Sequence, residues 1–156
     1  MSEKKNDSSS EEKTSSEVSS CNICADTERR ITRPSYYGAK RAITGKIVAE
    51  VKANGGGLRL SKNWSRSLKI GEIHEIMLTQ STLSPGDVMK DFTAVAFFEV
   101  SQSGHSVIGD KLYLDGVEVG VLAGYEMNHM PNHMNIVFMS NGGSQSFKLN
   151  SDIRIQ

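Results

Sequence analysis

From about residue 38 onward, short apolar runs alternate with polar turns along the chain. Residues 42–51 alternate between apolar and polar positions, Ile73–Thr79 forms a second run, and residues 93–100 are almost continuously apolar. A period of two is typical of strands with one buried face, and a short continuous run is typical of a strand buried on both faces. The pattern therefore predicts that this part of the chain is built of β-strands.

Two turn sequences predict β-hairpins in the C-terminal half. Asp115 and Gly116 separate two alternating runs, and an Asp-Gly pair favours the type I′ turn, in which both central residues have positive φ. The sequence Asn-Gly-Gly-Ser at residues 141–144 separates the runs 134–139 and 145–149 in the same way. We therefore expect an antiparallel pair of strands around each turn.

Three further turns each contain a Gly followed by an acidic residue, at Gly71, Gly86 and Gly109. Such reversals beside apolar residues are typical of the corners of a small barrel. The one helix candidate is residues 62–68, with Ser61 as a possible N-cap. These features predict an all-β fold, a small and mostly antiparallel barrel or sandwich with at most one short helix.

The N-terminal residues have a different composition. Residues 1–20 contain eight Ser and four Glu, and only Met1 and Val18 are apolar. Such a segment cannot bury enough apolar surface to offset the entropy lost on ordering. We therefore expect a disordered tail over residues 1–37 and a single β-barrel domain over residues 38–156, which is long enough to form one hydrophobic core.

Cys21 and Cys24 form a Cys-x-x-Cys pair, which is half of a zinc site or a redox pair. The pair lies in a Ser-rich stretch with no second such pair and no nearby His, so we assign it no role. No apolar segment follows the N-terminal charges, and no apolar run approaches the roughly 18 residues of a transmembrane helix. We expect a cytoplasmic protein without a membrane partner, whose oligomeric state the sequence does not specify.

The formal net charge of the chain is zero, but the charges fall into three blocks. Residues 1–28 carry a net charge of −4, residues 29–70 of +10 and residues 71–156 of −6. A concentrated positive block attracts anions, unless the fold interleaves the blocks into a balanced surface. The expected partners are therefore an anionic small molecule, a phosphorylated partner or RNA.

The basic block suggests an anion-binding site made of Arg59, Lys62, Trp64, Arg66 and Lys69. Cationic side chains interleaved with an aromatic residue are typical of grooves that follow a nucleic-acid backbone. No known nucleic-acid-binding motif accompanies them. In the alternative interpretation, Trp64 packs on the barrel and the cations are simply solvated.

Glu126, His129 and His133 lie in a predicted loop between two strands. Two His residues four apart resemble the spacing of helical metal sites, but Pro131 between them blocks a regular helix. A loop can still bring imidazoles together. The three residues therefore predict a site for a polar ligand, or a metal site with His129 and His133 as ligands, and the alternative is a purely structural role.

Classical catalysis has little support in the sequence. His74 lies between two glutamates and His105 lies in a Ser-Gly loop, so we expect both on the surface. No carboxylate can be assigned to orient His105 for a neighbouring serine, as a catalytic triad requires. The residues favour a non-enzymatic protein without deciding the question, and they imply no cofactor.

Two stretches, LRLSKNWSRSLKIGEIHEIMLTQ at residues 58–80 and GDKLYLDGVEVGVLAGYEMNHMPNHMNIVF at residues 109–138, carry a family resemblance. Together they resemble a family of small uncharacterised bacterial proteins, a domain of unknown function. This resemblance covers about residues 43–140 and implies no activity.

The second stretch also distantly resembles the IIA component of the glucitol/sorbitol phosphotransferase system. The shared pattern consists of the corner Gly109-Asp110, Val121 and the strand at residues 133–138. That family has a phosphorylatable His directly after an apolar strand, whereas His105 falls later, in the loop. The resemblance implies a phosphocarrier with His105 as acceptor.

The leading prediction is thus a non-catalytic binding or accessory module with an anionic ligand or partner at a basic surface. The first alternative is a phosphocarrier related to sugar phosphotransferase IIA components. The second is a metal-binding protein that uses His129 and His133 in a His/Met loop, where Met127, Met130 and Met134 alternate with the histidines.

Overall fold

The computed structural model describes residues 39–156. The predicted tail over residues 1–37, with Cys21 and Cys24, lies outside the described residues, and the predicted domain boundary stays a prediction. Residues 39–156 contain eleven strands and no helix, so no helix there could cross a membrane. The strands are β1 (Ile43–Gly55), β2 (Leu58–Arg59), β3 (Ser65–Leu68), β4 (Ile73–Thr79), β5 (Val88–Met89), β6 (Phe92–Gln102), β7 (Gly104–Val107), β8 (Lys111–Leu114), β9 (Val117–Glu126), β10 (Asn135–Ser140) and β11 (Asp152–Ile155).

Seven of these strands close into a barrel in the order β1-β11-β8-β9-β10-β4-β6. All neighbours in the barrel run antiparallel except β10 and β4, which run parallel. Two small ribbons complete the fold, one of β2 with β5 and one of β3 with β7. The prediction of an all-β, mostly antiparallel barrel is therefore confirmed, and closure gives each of the seven strands a neighbour on both sides along at least part of its length.

The main hydrophobic core fills the barrel, because alternate residues of each strand point inward. Phe98 and Phe138 are among its fully buried members. A second, smaller core lies outside the barrel wall, where Leu60 and Met89 cover Met77 on β4. The β2–β5 ribbon therefore protects the outer face of β4 and its neighbours, and both faces of these strands are buried there.

The Asp-Gly turn between β8 and β9 forms as predicted. Asp115 has φ of 47° and Gly116 has φ of 83°, so both occupy the left-handed region that a type I′ turn requires. The glycines of the three Gly-acid turns also have positive φ, at Gly71, Gly86 and Gly109.

Two predicted elements are wrong. Residues 65–68 of the proposed helix form β3, and the Ser61 hydroxyl accepts a hydrogen bond from the N–H of Asn63 in a turn instead of capping a helix. Residues 145–149 form no strand, so residues 141–144 do not close a hairpin. The reason is that β10 is already paired on both sides, with β4 and β9.

Candidate functional site

Two of the predicted anion-binding residues meet at the turn that contains Gly86. The Arg59 guanidinium donates from Nη1 to the carbonyl oxygen of Gly86 at 2.8 Å. Lys62 Cγ lies 3.6 Å from the position that a Cβ at Gly86 would occupy, so the lysine stem passes along the same residue. A backbone bond from the N–H of Gly86 to the carbonyl of Ser61 fastens the two segments together. Both cationic side chains are exposed at this turn.

Arg66 points in another direction. Leu68 on β3 is buried in the main core, and the alternation of a strand places Arg66 on the same side. Arg66 is half-buried, and its Nε makes no hydrogen bond within residues 39–156. The β3–β7 ribbon thus turns this arginine towards the barrel rather than towards solvent.

Trp64 and Lys69 are not joined to the Gly86 turn. Trp64 is half-buried, and its carbonyl accepts a hydrogen bond from the N–H of Ile108. Lys69 is exposed in the turn after β3. Within the described residues, no hydrogen bond or ring contact links either side chain to Arg59 or Lys62. The structure therefore brings together two of the five residues that the sequence groups.

The cations of residues 39–156 fall into paired and unpaired groups. Of the twelve Lys and Arg residues in this part of the chain, nine lie more than 4.0 Å from every carboxylate of residues 39–156, and Arg59, Lys62, Arg66 and Lys69 are among them. Three lysines elsewhere are paired, in Lys40–Asp110 at 2.6 Å, Lys46–Asp152 at 2.7 Å and Lys111–Glu118 at 3.3 Å.

The predicted ligand loop lies against a row of side chains on the outer face of the barrel. Glu126, Asn135, Glu75 and Phe97 are neighbours in register across β9, β10, β4 and β6, and we call them the outer row. Residues next to them along the strands, such as Ile136, belong to the main core, so the outer row points away from the barrel interior. The barrel thus assembles four residues that are far apart in sequence.

His133 packs over the outer row. Its ring meets Phe97 edge-on, with 5.1 Å between centroids, and stacks on His129 at 4.9 Å and 14°. Its Nε2 lies 3.6 Å from Glu75 Oε2, within ion-pair range but too long for a hydrogen bond. The loop therefore brings the two imidazoles together and places one of them beside a carboxylate.

Glu126 organises the start of this loop. It is 1 % exposed, and its two carboxylate oxygens accept hydrogen bonds from the N–H of Asn128 at 2.8 Å and from Asn135 Nδ2 at 2.6 Å. Both oxygens are thus engaged inside the protein. Glu126 therefore orients Asn135 through a hydrogen bond, and neither of its oxygens is left to contact a ligand.

The stacked pair His129 and His133 presents ring faces, not nitrogen lone pairs, to one another. In addition, residues 39–156 contain no group of three or more His, Cys, Asp or Glu side chains arranged to hold a metal ion. Metal binding by this pair of histidines stays a prediction.

His74 is buried, at 5 % exposure, so the prediction that it lies on the surface is wrong. Its Nδ1 accepts the N–H of Met134 at 3.1 Å, and its Nε2 donates to Glu72 Oε2 at 2.7 Å. Burial lowers the pKa of His74 below its ordinary 6.5, although the hydrogen bond to Glu72 opposes the shift. Strand alternation from Ile76, which is a core residue, would have placed His74 inside.

His105 lies on β7 rather than in an exposed loop. It is half-buried and faces Ser67 across the β3–β7 ribbon, with 2.8 Å between its Nδ1 and the Ser67 hydroxyl. The sequence does not predict the β3–β7 ribbon, because its pattern at residues 62–68 favours a helix. Phosphoryl acceptance by His105 stays a prediction.

Comparison with models of known protein families gives a match. Residues 37–156 match the family DUF6917, which is described as a family of unknown function. No curated protein and no solved structure matches the chain. The resemblance to a family of unknown function is therefore confirmed, without any indication of bacterial origin, and the resemblance to the glucitol/sorbitol IIA component receives no support.

Proposed function

We propose that this chain, which belongs to the DUF6917 family, is a non-catalytic binding module for an anionic ligand or partner. The observation that carries the proposal is the meeting of Arg59 and Lys62 at the Gly86 turn, without a carboxylate of residues 39–156 within ion-pair distance of either. A phosphate group on a small molecule, on a protein or in RNA would supply the missing negative charge.

The hydrogen bond between Arg59 and the Gly86 carbonyl favours such a contact. Its bond to the Gly86 carbonyl uses one N–H of the guanidinium and restrains the side chain. The remaining N–H groups keep the fork geometry that matches two phosphate oxygens. A restrained side chain also loses less conformational entropy when a ligand binds. Lys62 adds a second charge that needs no particular orientation.

The charge distribution of the chain supports the same location. Residues 29–70 carry a net charge of +10, and Arg59 and Lys62 belong to this block. Lys40 and Lys46 of this block are paired with Asp110 and Asp152, whereas Arg59 and Lys62 keep their charge for an oppositely charged ligand. Arg66 contributes less to this surface because it points towards the barrel.

The residues that the sequence assigns to the two alternative functions have no comparable contact in favour of those roles. His105 Nδ1 is engaged with the Ser67 hydroxyl, and a phosphocarrier would have to release it for transfer at that nitrogen. His129 stacks face to face on His133, which does not direct both rings at one ion.

Binding of single-stranded RNA at about 50 mM salt tests the proposal, with a phosphoserine peptide and inorganic phosphate as competitors. We expect the double variant Arg59→Ala/Lys62→Ala to lose at least about tenfold in affinity, because two direct phosphate contacts are removed. The matched control, Lys46→Ala/Lys111→Ala, removes the same charge from paired positions and should bind nearly as the unmodified chain. Equal losses in both variants, or no binding of any of the three anions, would show the proposal to be wrong.

A further inference from the structure

Two buried polar atoms, on residues that neighbour Glu75, have no hydrogen-bond partner within residues 39–156. One is Oδ1 of Asn135, a residue that is 0 % exposed, and the other is Nε2 of His133. Nearly all buried polar atoms in folded proteins are satisfied by protein, water or a ligand. One of these atoms lies 3.6 Å from Glu75 Oε2 and the other belongs to the residue paired in register with Glu75, and their missing hydrogen bonds indicate that a further group binds here.

The orientation of Asn135 is fixed by Glu126. Asn135 Nδ2 donates to Glu126 Oε2 at 2.6 Å, so the amide nitrogen faces Glu126. The amide oxygen consequently points away from Glu126. On that other side, the parallel pairing of β10 with β4 places Glu75 next to Asn135.

The spacing between His133 and Glu75 fits two ligands of one ion. Their Nε2 and Oε2 atoms are 3.6 Å apart. Nitrogen and oxygen ligands lie about 2.0–2.2 Å from a zinc ion, so a tetrahedral arrangement separates them by roughly 3.4 Å. The distance of 3.6 Å between these two atoms is thus too long for a hydrogen bond, but it is close to the distance between two neighbouring ligands of one metal ion.

From these contacts we propose that Glu75, His133 and Asn135 bind one divalent transition-metal ion on the outer face of the barrel. Each contributes a lone pair, from a carboxylate, an imidazole and an amide oxygen, and a mixed nitrogen and oxygen set suits zinc and its neighbours. Three protein ligands leave a fourth position for water.

The proposed ligand set differs from the pair His129 and His133. Its third member is an asparagine, which is consistent with the absence of three His, Cys, Asp or Glu ligands among residues 39–156. His129 only stacks on the ring of His133 and does not bind the ion. Glu126 is a positioning residue, because it acts through the amide of Asn135.

Calorimetric titration of the full chain with Zn²⁺ tests the site, and Co²⁺ provides a second probe through its visible absorption. We expect one ion per chain. Glu75→Gln and His133→Ala should each weaken binding by at least about tenfold, and Glu126→Gln by about 10- to 100-fold, as is typical of residues that orient ligands. His129→Ala is the matched control and should keep most of the affinity.

Thermal unfolding separates loss of the site from loss of the fold. Zn²⁺ should raise the Tm of the unmodified chain and of His129→Ala, because a ligand that binds the folded state stabilises it, and should leave the Tm of Glu75→Gln unchanged. Two results would overturn the proposal. One is no Zn²⁺ or Co²⁺ binding by the unmodified chain, which would leave an ordered water as the occupant. The other is binding that is lost in His129→Ala and kept in Glu75→Gln.

Discussion

Nδ1 of His74 accepts a hydrogen bond from the backbone N–H of Met134 at 3.1 Å, although the two residues are 60 positions apart. Because Nδ1 accepts this bond, the proton of the neutral ring sits on Nε2, which donates to Glu72. A second proton on His74 would turn the acceptor into a donor and break the bond to Met134. The hydrogen bond that joins β4 to the residue before β10 therefore forms only when the buried imidazole of His74 is neutral.

This arrangement predicts a stability that depends on pH. Burial lowers the pKa of folded His74 below its unfolded value of about 6.5, so between the two values the unfolded chain binds more protons. The contribution of His74 to the free energy of unfolding should be complete above about pH 6.5 and should be lost as the pH falls through the folded pKa.

Urea unfolding between about pH 7.5 and pH 5 measures this effect. His74→Asn removes the titrating group while its side-chain oxygen can still accept the N–H of Met134. We expect a flatter dependence of the unfolding free energy on pH for this variant. An identical dependence in both proteins would show that His74 does not contribute to it.

A buried hydroxyl pair at the β3–β7 ribbon predicts a second effect on stability. The Tyr125 hydroxyl lies 2.6 Å from the Ser106 hydroxyl, which also donates to the carbonyl of Arg66, and burial raises the pKa of Tyr125. Tyr125→Phe should lower the free energy of unfolding by about 1 kcal/mol, the net contribution of a hydrogen bond whose remaining partner stays satisfied.

Tyr113→Phe is the control for that measurement. Tyr113 is half-buried beneath Arg154, and its hydroxyl makes no hydrogen bond within residues 39–156. We expect a change below about 0.5 kcal/mol in chemical denaturation. Equal changes in the two variants would contradict a structural role for the Tyr125 hydroxyl.

Leu68 attaches the β3–β7 ribbon to the barrel. It is 1 % exposed and belongs to the main core, whereas Ile70, two residues later, is 69 % exposed. Leu68→Ala should cost about 2–5 kcal/mol, because it removes buried apolar surface and leaves a cavity, and Ile70→Ala should cost less than about 0.5 kcal/mol. A small loss for Leu68→Ala in urea unfolding would mean that the ribbon is not anchored by this side chain.

Local features of the fold were predictable from the sequence and long-range pairings were not. The Asp115-Gly116 turn encodes its hairpin because its dihedral angles depend on the turn residues themselves. The parallel pairing of β10 with β4 joins residues such as Asn135 and Glu75, and no local pattern specifies it. The turn sequence at residues 141–144 predicted that residues 145–149 pair with β10, but a turn sequence does not show that both edges of β10 are already paired.

The residues of the candidate sites were also predictable where they depend on local sequence, and not where they depend on contacts between distant segments. The charge pattern identified Arg59 and Lys62, but their meeting at Gly86 depends on how two distant segments are hydrogen-bonded. The inward direction of Arg66 follows from its alternation with Leu68, which an assumed helix concealed. Glu75 was missed because its partners lie on other strands.

The salt dependence of RNA binding tests most directly whether Arg59 and Lys62 contact anionic groups. Each phosphate neutralised in a single strand contributes about 0.7 to the slope of log affinity against log salt concentration. Between about 50 and 200 mM salt, we expect the slope of Arg59→Ala/Lys62→Ala to be shallower than that of the unmodified chain by about 1.4, with no change in Lys46→Ala/Lys111→Ala. The same slope in all three proteins, or RNA binding by the unmodified chain that does not depend on salt, would contradict an anion-binding role for this pair.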